Sequence, residues 1–288
     1  MKLKINMKNT TTLFSFIVFL SSQLVFSQEI RTIASLPNSI EESSGLVFYN
    51  DSILITHNDS GDKPIIYFIN LKGKLVDQVL IENASNVDWE DLCTDGNGNL
   101  YIGDIGNNNN DRRQLKIYKV SLNNLRAKKK VMAEIITFSY YDQQAFPPAD
   151  SSLNYDAEGL AFLQDSLLIF TKCRANPFNG YSFCYKIPAT PGTYKAHRSF
   201  QLYIGNKGFT KDAVTSASIC SNYLYLLTYN RFLIYQLVQG KWAYKTQHYT
   251  KPYTQKEAIT TKDNRTIYVT DEVQKIIGGG KLYKMEIQ

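Results

Sequence analysis

The sequence predicts an all-β protein in which one β-hairpin recurs along the chain. In the clearest copy, residues 87–108, two strand-like runs flank an Asn-Gly turn, which is typical of a hairpin. Four further hairpins have the same layout, and each measures twelve to fourteen residues from its leading residue to the end of its second strand. Two more strand-like runs follow each of the first four hairpins. Four strands per repeat predict a single β-propeller of five blades.

The chain begins with a segment, residues 1–27, that is typical of a secretory signal peptide. It has a basic start and then an apolar run over residues 13–26. Polar residues interrupt that run at positions 21–23, so we expect no membrane span. We expect the mature protein, residues 28–288, to be one propeller domain that is exported to the periplasm or secreted.

The charge of the chain argues against a nucleic-acid partner. The formal charge is +6, and removal of residues 1–27 takes away three lysines and no acidic residue, which leaves +3. A net charge of +3 is too small to predict that the protein binds nucleic acid. We expect a monomer whose partner is a small anionic ligand or a surface protein.

The predicted strands form repeats of which the last is incomplete. The pairs of strands that follow the first four hairpins are 65–71 and 75–81, 115–120 and 134–140, 182–187 and 200–204, and 232–237 and 242–249. Only Lys281–Ile287 follows the fifth hairpin, and Glu29–Leu36 precedes the first hairpin without a repeat of its own. We therefore predict that Glu29–Leu36 pairs with Lys281–Ile287 and closes the last blade.

The longest gap between hairpins does not provide a sixth blade. Glu90 and Glu158 are 68 residues apart, against 41 to 46 residues in the compact repeats. The surplus is mostly a polar connection around residues 142–154, which is too short for four more strands.

The four cysteines agree with export. Cys173 and Cys184 are predicted to face each other in the third blade and to form a disulfide. Cys93 and Cys220 are interpreted as small buried apolar residues.

The leading residues of the hairpins are the main candidates for a metal site. They are Ser44, Glu90, Glu158, Ser216 and Glu257. In a propeller the innermost strands border the central channel, so equivalent residues would form a ring. Three carboxylates in one ring repel each other unless a cation neutralises them. An all-oxygen ring suits Ca²⁺, whereas three histidines without clustered spacing argue against zinc. The alternative is that the glutamates cap backbone N–H groups or hold water.

The order of the five leading residues, Ser, Glu, Glu, Ser and Glu, resembles the order in the soluble calcium-activated nucleotidases, or apyrases. The resemblance covers residues 40–275. The resemblance implies a five-bladed propeller whose axial calcium ion is held by the five leading residues. The sequence departs from the family at Asn58–Gly61, where no arginine follows the acidic turn, and at Asn107–Arg113, which replaces a tryptophan-bearing loop. The segments HNDSG, DWEDL and GDIGNN also resemble exported propellers of unassigned function and the phytase- and esterase-like propellers.

The loops after the second strands are predicted to cluster at one mouth of the channel. They contribute His57, Asn58, Asp59, Asp104, Asn107, Asn108, Arg112, Arg113, Lys172, Arg174, Tyr229, Arg231, Asp271 and Glu272. Cations, acids and amides around a metal could bind a phosphate or carboxylate and activate water. The catalytic candidates are Asp59, Asp104, Arg113 and Lys172.

Two functions remain open from the sequence. One is a calcium-dependent hydrolase of phosphate or carboxylic esters. The other is a non-catalytic propeller in which calcium ties the blades together and the mouth binds a ligand or a protein. A hydrolase of anions requires the mouth cations to point inward, whereas a binding protein could leave them solvated.

Overall fold

The computed structural model describes residues 29–287, in which almost all regular structure is β, as the sequence predicts. The predicted signal peptide, residues 1–27, lies outside the described residues. In chain order the strands are β1 (Arg31–Ser35), β2 (Ser43–Phe48), β3 (Ile53–Asn58), β4 (Ile65–Asn70), β5 (Leu75–Ile81), β6 (Trp89–Thr94), β7 (Asn99–Asp104), β8 (Leu115–Ser121), β9 (Lys130–Val131), β10 (Glu134–Tyr140), β11 (Asp156–Leu163), β12 (Ser166–Lys172), β13 (Tyr181–Pro188), β14 (Gly192–Tyr203), β15 (Val214–Cys220), β16 (Tyr223–Thr228), β17 (Arg231–Val238), β18 (Lys241–Tyr249), β19 (Lys256–Thr261), β20 (Thr266–Asp271) and β21 (Lys281–Glu286).

Two short helices interrupt the strands, α1 (Leu122–Ala127) and α2 (Phe209–Asp212), together with a 3₁₀ turn at Asp150–Ser152. Within residues 29–287 no helix is long and apolar enough to cross a membrane.

The strands form four hydrogen-bonded sheets. Three have the orders β1-β21-β20-β19, β2-β3-β4-β5-β9 and β15-β16-β17-β18. The fourth has eight strands in the order β11-β12-β13-β14-β10-β8-β7-β6, and its two antiparallel halves are joined by a parallel pairing of β10 with β14. Short connections between sequential antiparallel strands explain this order.

The first strand of each recurring hairpin lies at the centre of the molecule. β2, β6, β11, β15 and β19 contact one another in that order, and β19 returns to β2. These inner strands are almost entirely buried, whereas the outer strand β18 is mostly exposed. Five apolar clusters fill the spaces between successive sets of strands; one of them packs Trp89 of β6 against Ile55 of β3 and Ile66 of β4. The recurring hairpins therefore build a closed ring of packed sheets.

The two ends of the chain meet in one sheet. β1 pairs antiparallel with β21, with Thr32 opposite Tyr283 and Ser35 opposite Lys281. The predicted pairing of Glu29–Leu36 with Lys281–Ile287 is therefore confirmed. The N-terminal strand covers an edge of β21 that would otherwise present unpaired backbone groups.

The predicted disulfide is wrong. All four cysteines are free, and the register pairs Cys184 with Phe170. Cys173 lies beyond the end of β12, where its Sγ contacts Asn179 Oδ1 at 3.1 Å. The sequence indicates that two strands pair but does not fix their register to the residue.

Candidate metal centre

Every inner strand contains a β-bulge near its start, and the bulged residue has no partner on the second strand. In β6, Trp89 pairs with Asp104 and Asp91 pairs with Gly103, so Glu90 is the extra residue. The bulged residues of the five inner strands are Gly45, Glu90, Glu158, Thr215 and Glu257. Bulges re-aim side chains and are common beside functional sites.

The predicted equivalence of the five leading residues is therefore wrong in two strands, because Ser44 and Ser216 each lie one residue from the bulge. Ser44 Oγ donates a hydrogen bond to the carbonyl oxygen of Glu90 at 2.5 Å. Ser216 Oγ lies 3.2 Å from Asp91 Oδ2 and accepts a hydrogen bond from Ile259 N. Both hydroxyls link neighbouring inner strands, and the bulges of β2 and β15 carry no carboxylate.

Five carboxylates from three regions of the chain converge at one end of the ring; we call them the acidic cluster. Its members are Asp59, Asp88, Glu90, Asp156 and Glu158. One oxygen each of Glu90, Asp156 and Glu158 lies within 4.8 Å of the others, and the same holds for Asp59, Asp88 and Glu90. Glu90 belongs to both groups. The two groups could each hold a metal ion, since hard cations prefer carboxylate oxygens.

Asp88 and Asp156 are absent from the predicted ligand set. Each precedes a bulged glutamate by two residues, in the pattern Asp-x-Glu. In an extended chain, residues two apart face the same side, so each aspartate joins its glutamate. The repetition of Asp-x-Glu at two inner strands is the signal that would have identified them.

Two more carboxylates lie beside the acidic cluster. Glu257 is 4% exposed, and its Oε2 has no hydrogen-bond partner among residues 29–287. Burial raises the pKa of Glu257 to about 8 although Lys172 lowers it. Glu272 is also buried and accepts a hydrogen bond from Gln255 Nε2. Burial and then the Glu257 carboxylate raise the pKa of Glu272 to about 10.

The acidic cluster is under electrostatic strain. Burial, followed by the carboxylates of Glu158 and Asp88, raises the pKa of Asp59 to about 7. Burial also raises the pKa of Glu158 to about 7, against the opposing effect of Lys172. The pKa of Glu90 lies well above its usual value because Glu90 is buried among other acids. Each raised pKa means that the ionised carboxylate is disfavoured in the folded protein. A bound cation would favour the ionised form.

Two basic side chains enter the acidic cluster. Lys172 Nζ lies 2.8 Å from Glu158 Oε1, and Arg174 forms an ion pair with Asp156 and lies 3.7 Å from Glu158 Oε1. Phe209 and Tyr229 flank the Lys172 ammonium at 5.6 and 5.2 Å. The five acids of the cluster with Glu257 and Glu272 outnumber these two cations, so negative charge is in excess once these acids are ionised.

The loop after β7 supports the acidic cluster from one side. Asp104 is buried, forms an ion pair with Arg112 at 2.8 Å, and accepts a hydrogen bond from Asp88 N. A Cβ atom at Gly106 would collide with the carboxylates of Glu90 and Asp88. Asp104 and Arg112 thus hold the loop, and Gly106 leaves room for two carboxylates.

Asp91, which the sequence does not single out, fixes the inner strands below the acidic cluster. Its carboxylate is fully buried and accepts hydrogen bonds from Leu160 N and Ala217 N, both at 2.9 Å, as well as from Ser216 Oγ. A single side chain thereby joins β6, β11 and β15. Burial raises the pKa of Asp91 to about 8, although these bonds lower it.

Two residues predicted at the mouth pack against aromatic side chains. Arg113, a catalytic candidate, is exposed and places its guanidinium over the ring of Phe146 at 4.4 Å. His57 is buried against the edge of Trp89, and burial lowers its pKa to about 4. Asp59 and Lys172, by contrast, belong to the site, and Asp104 contacts it through Asp88.

Searches by sequence gave no matching family model and no significantly similar curated protein. Among solved structures, the chain is similar to glutaminyl cyclase from Myxococcus xanthus, with a TM-score of 0.52 and 12% identity over 90% of this chain and 96% of that one. It is also similar to the PQQ-bound aldose sugar dehydrogenase from Streptomyces coelicolor, with a TM-score of 0.50 and 10% identity over 90% and 98%. A luciferin-regenerating enzyme matches with a TM-score of 0.50 and 10% identity over 90% and 95%.

At these identities the likeness shows the fold alone. The chain has an all-β, propeller-like architecture, and the site must be interpreted from its own residues.

Proposed function

We propose that the protein is an exported, calcium-dependent hydrolase of phosphate or carboxylic esters. The observation that carries this proposal is the acidic cluster, in which buried carboxylates converge to within 4.8 Å in two groups that share Glu90. The unpartnered Oε2 of buried Glu257 beside them supports the same reading. Buried charges without a partner are costly, and a bound cation removes that cost.

The proposed architecture is a five-bladed propeller in one domain, residues 28–288. The eight-stranded sheet would then be two blades joined at their outer edges by β10 and β14. Five inner strands and five intervening apolar clusters support this count. Residues 1–27 would be a cleaved export signal, and the mature protein would act as a monomer.

Calcium fits the acidic cluster better than zinc does. The donors are carboxylate oxygens, which Ca²⁺ binds in sets of six to eight with waters completing the shell. Zinc prefers histidine and cysteine ligands, and His57 lies outside the cluster with its ring against Trp89. The proposed ligand set is Asp88, Glu90, Asp156, Glu158 and Glu257, in place of the set that includes Ser44 and Ser216.

The residues around the acidic cluster have distinct proposed roles. A divalent cation bound there would supply Lewis-acid activation of the ester and of water. Lys172 and Arg174 would bind the anionic group of the substrate, because both reach the cluster. Asp59, the most exposed acid of the cluster, would accept a proton through the oxygen that is not bonded to Ser60 N. Asp104 would position Asp88 rather than act on substrate.

The alternative is a non-catalytic propeller with structural calcium. One observation favours it: both cations at the cluster are already engaged, Lys172 with Glu158 and Arg174 with Asp156. If these ion pairs persist when calcium binds, neither Lys172 nor Arg174 is free for a substrate anion.

An activity screen with purified protein tests the proposal. Nucleotides, sugar phosphates, phytate, lactones and aryl esters are assayed with calcium and with a chelator. We expect calcium-dependent turnover of at least one ester class, and its loss in Glu158→Gln. Glu134→Gln, at an exposed position on β10, is the matched control and should keep full activity. Calcium-induced stabilisation without turnover would favour the non-catalytic alternative.

A further inference from the structure

A cavity lies beside the acidic cluster, between the turns of the sheets that contain β15 and β19. It has a volume of about 600 Å³, within the range of small-molecule sites. Its lining residues are Lys207, Thr210, Lys211, Tyr229, Asn230, Arg231, Tyr249, Tyr253, Thr254, Gln255 and Ile277.

One side of this cavity is cationic. Lys207 and Lys211 are exposed, and neither forms an ion pair with an acidic side chain within residues 29–287. Arg231 is 5% exposed and lines the same cavity, and its Nε is a buried donor without a partner in the described part of the chain. Asp212 Oδ1 lies 2.7 Å from the Arg231 guanidinium and compensates its charge, so the two exposed lysines supply the free positive charge of the cavity.

The cationic side is held rigidly. Arg231 lies 2.7 Å from Asp212 Oδ1 and donates hydrogen bonds to the carbonyl oxygens of Lys211 and Ile204. These bonds fix the segment that carries both lysines.

The cavity also has apolar lining residues that are unusually exposed. Tyr249, Tyr253 and Ile277 line the cavity and are 47%, 55% and 54% exposed. Ile276, next to Ile277, is 96% exposed. Aromatic and aliphatic side chains around a small cavity suit a ring or a hydrocarbon chain.

Two lining residues connect the cavity to the acidic cluster. Tyr229 lies 5.2 Å from Lys172 Nζ, and Gln255 donates a hydrogen bond to Glu272. A ligand in the cavity would therefore extend toward the proposed metal.

We propose that this cavity binds an organic anion, a carboxylate or phosphate that also carries a ring or hydrocarbon part. The anionic group lies against Lys207, Lys211 and Arg231, and the apolar part lies against Tyr249, Tyr253 and Ile277. Its use as part of a substrate site rests on the proposed hydrolase function, whereas the binding itself does not.

Titration calorimetry on the full chain tests the proposal, with phenyl phosphate, inorganic phosphate and phenol as probes. We expect phenyl phosphate to bind more tightly than either fragment, in chelator as well as in calcium. The double variant Lys207→Gln/Lys211→Gln should weaken phenyl phosphate about tenfold or more. Tyr253→Ala should weaken phenyl phosphate but not inorganic phosphate. Lys74→Gln, at an exposed turn of another sheet, should change nothing.

The outcomes separate this inference from the proposed function. No binding of phenyl phosphate, or binding that the double variant leaves unchanged, overturns the cavity site even if calcium still stabilises the protein. Binding that survives in chelator and depends on the two lysines supports the cavity site, even if calcium proves to have no effect and the hydrolase proposal fails.

Discussion

At the scale of single residues, Gly106 makes the acidic cluster possible. It lies against Glu90 and Asp88, where any side chain would occupy the space of the two carboxylates. The smallest residue is therefore required on the supporting loop, because a Cβ atom there displaces the proposed ligands.

Gly106→Ala should weaken calcium binding at least tenfold and cost about 1–3 kcal/mol of unfolding free energy, the usual effect of overpacking. Calorimetric titration with calcium and thermal unfolding measure the two effects. The control is Gly240→Ala, in the β17–β18 turn, where a Cβ would meet open space but the φ of +76° is strained. It should lower stability without changing calcium affinity. Unchanged calcium affinity in Gly106→Ala would contradict the placement of the metal.

Lys172 distinguishes a catalytic site from a structural one. Its ammonium lies within the acidic cluster and partly neutralises it. In Lys172→Gln, calcium should bind at least as tightly, because a competing positive charge is gone. Turnover of an anionic ester should fall roughly 100-fold, the typical effect of losing one charged transition-state contact. Lys172→Arg should restore part of the activity. Full activity in Lys172→Gln would exclude Lys172 from catalysis.

At the scale of elements, the Asp91 side chain links three of the inner strands to one another. Its carboxylate joins three of them by accepting hydrogen bonds from Leu160 N and Ala217 N. No backbone ladder connects these strands directly, since each belongs to a different β-hairpin. Packing and a few buried side-chain bonds must hold the ring closed.

Asp91→Ala should lower the unfolding free energy by about 2–5 kcal/mol, because the buried N–H groups of Leu92, Leu160 and Ala217 lose their acceptor. Denaturant unfolding measures the change. Asp165→Ala, in the exposed β11–β12 turn, is the control and should stay within about 0.5 kcal/mol of the parent. If the two variants unfold alike, Asp91 does not link the strands.

At the scale of the whole molecule, the buried acids make stability depend on pH and on calcium. Without a cation, the pKa values of Asp59 and Glu158 are about 7 and that of Glu257 is about 8, above the ordinary values near 4. The folded state then binds more protons than the unfolded state between about pH 4 and 8, so stability is lost as the pH rises through this window. His57 acts in the opposite sense, because its pKa is lowered to about 4, but it is one group against several.

The chelated protein should therefore melt at a lower temperature at pH 8 than at pH 5. Calcium in excess should raise the melting temperature most at pH 8, because the cation binds the deprotonated carboxylates of the folded state. Differential scanning calorimetry at both pH values, with and without chelator, measures this. A chelated protein that gains stability from pH 5 to pH 8, or shows no response to calcium, would contradict a metal site at the acidic cluster.

The sequence by itself determined the all-β class, the recurring hairpins and the pairing of the N-terminal strand with β21. These follow from alternation and turn residues, which are local and recur in each repeat. It also singled out Glu90, Glu158 and Lys172, which the structure brings together, and Glu257, whose role as a metal ligand stays a prediction. Asp88 and Asp156 belong to the repeated Asp-x-Glu pattern, although their place in the acidic cluster was not predicted.

Only the tertiary structure decided which residues share a position on the inner strands. A bulge adds one residue to one strand, and its place depends on cross-strand pairing rather than on hydrophobic pattern. Gly45 and Thr215 therefore stand where Ser44 and Ser216 were expected, and the same dependence on register separates Cys173 from Cys184. The cavity beside Tyr229 likewise combines loops distant in sequence, because the closed ring brings neighbouring turns together.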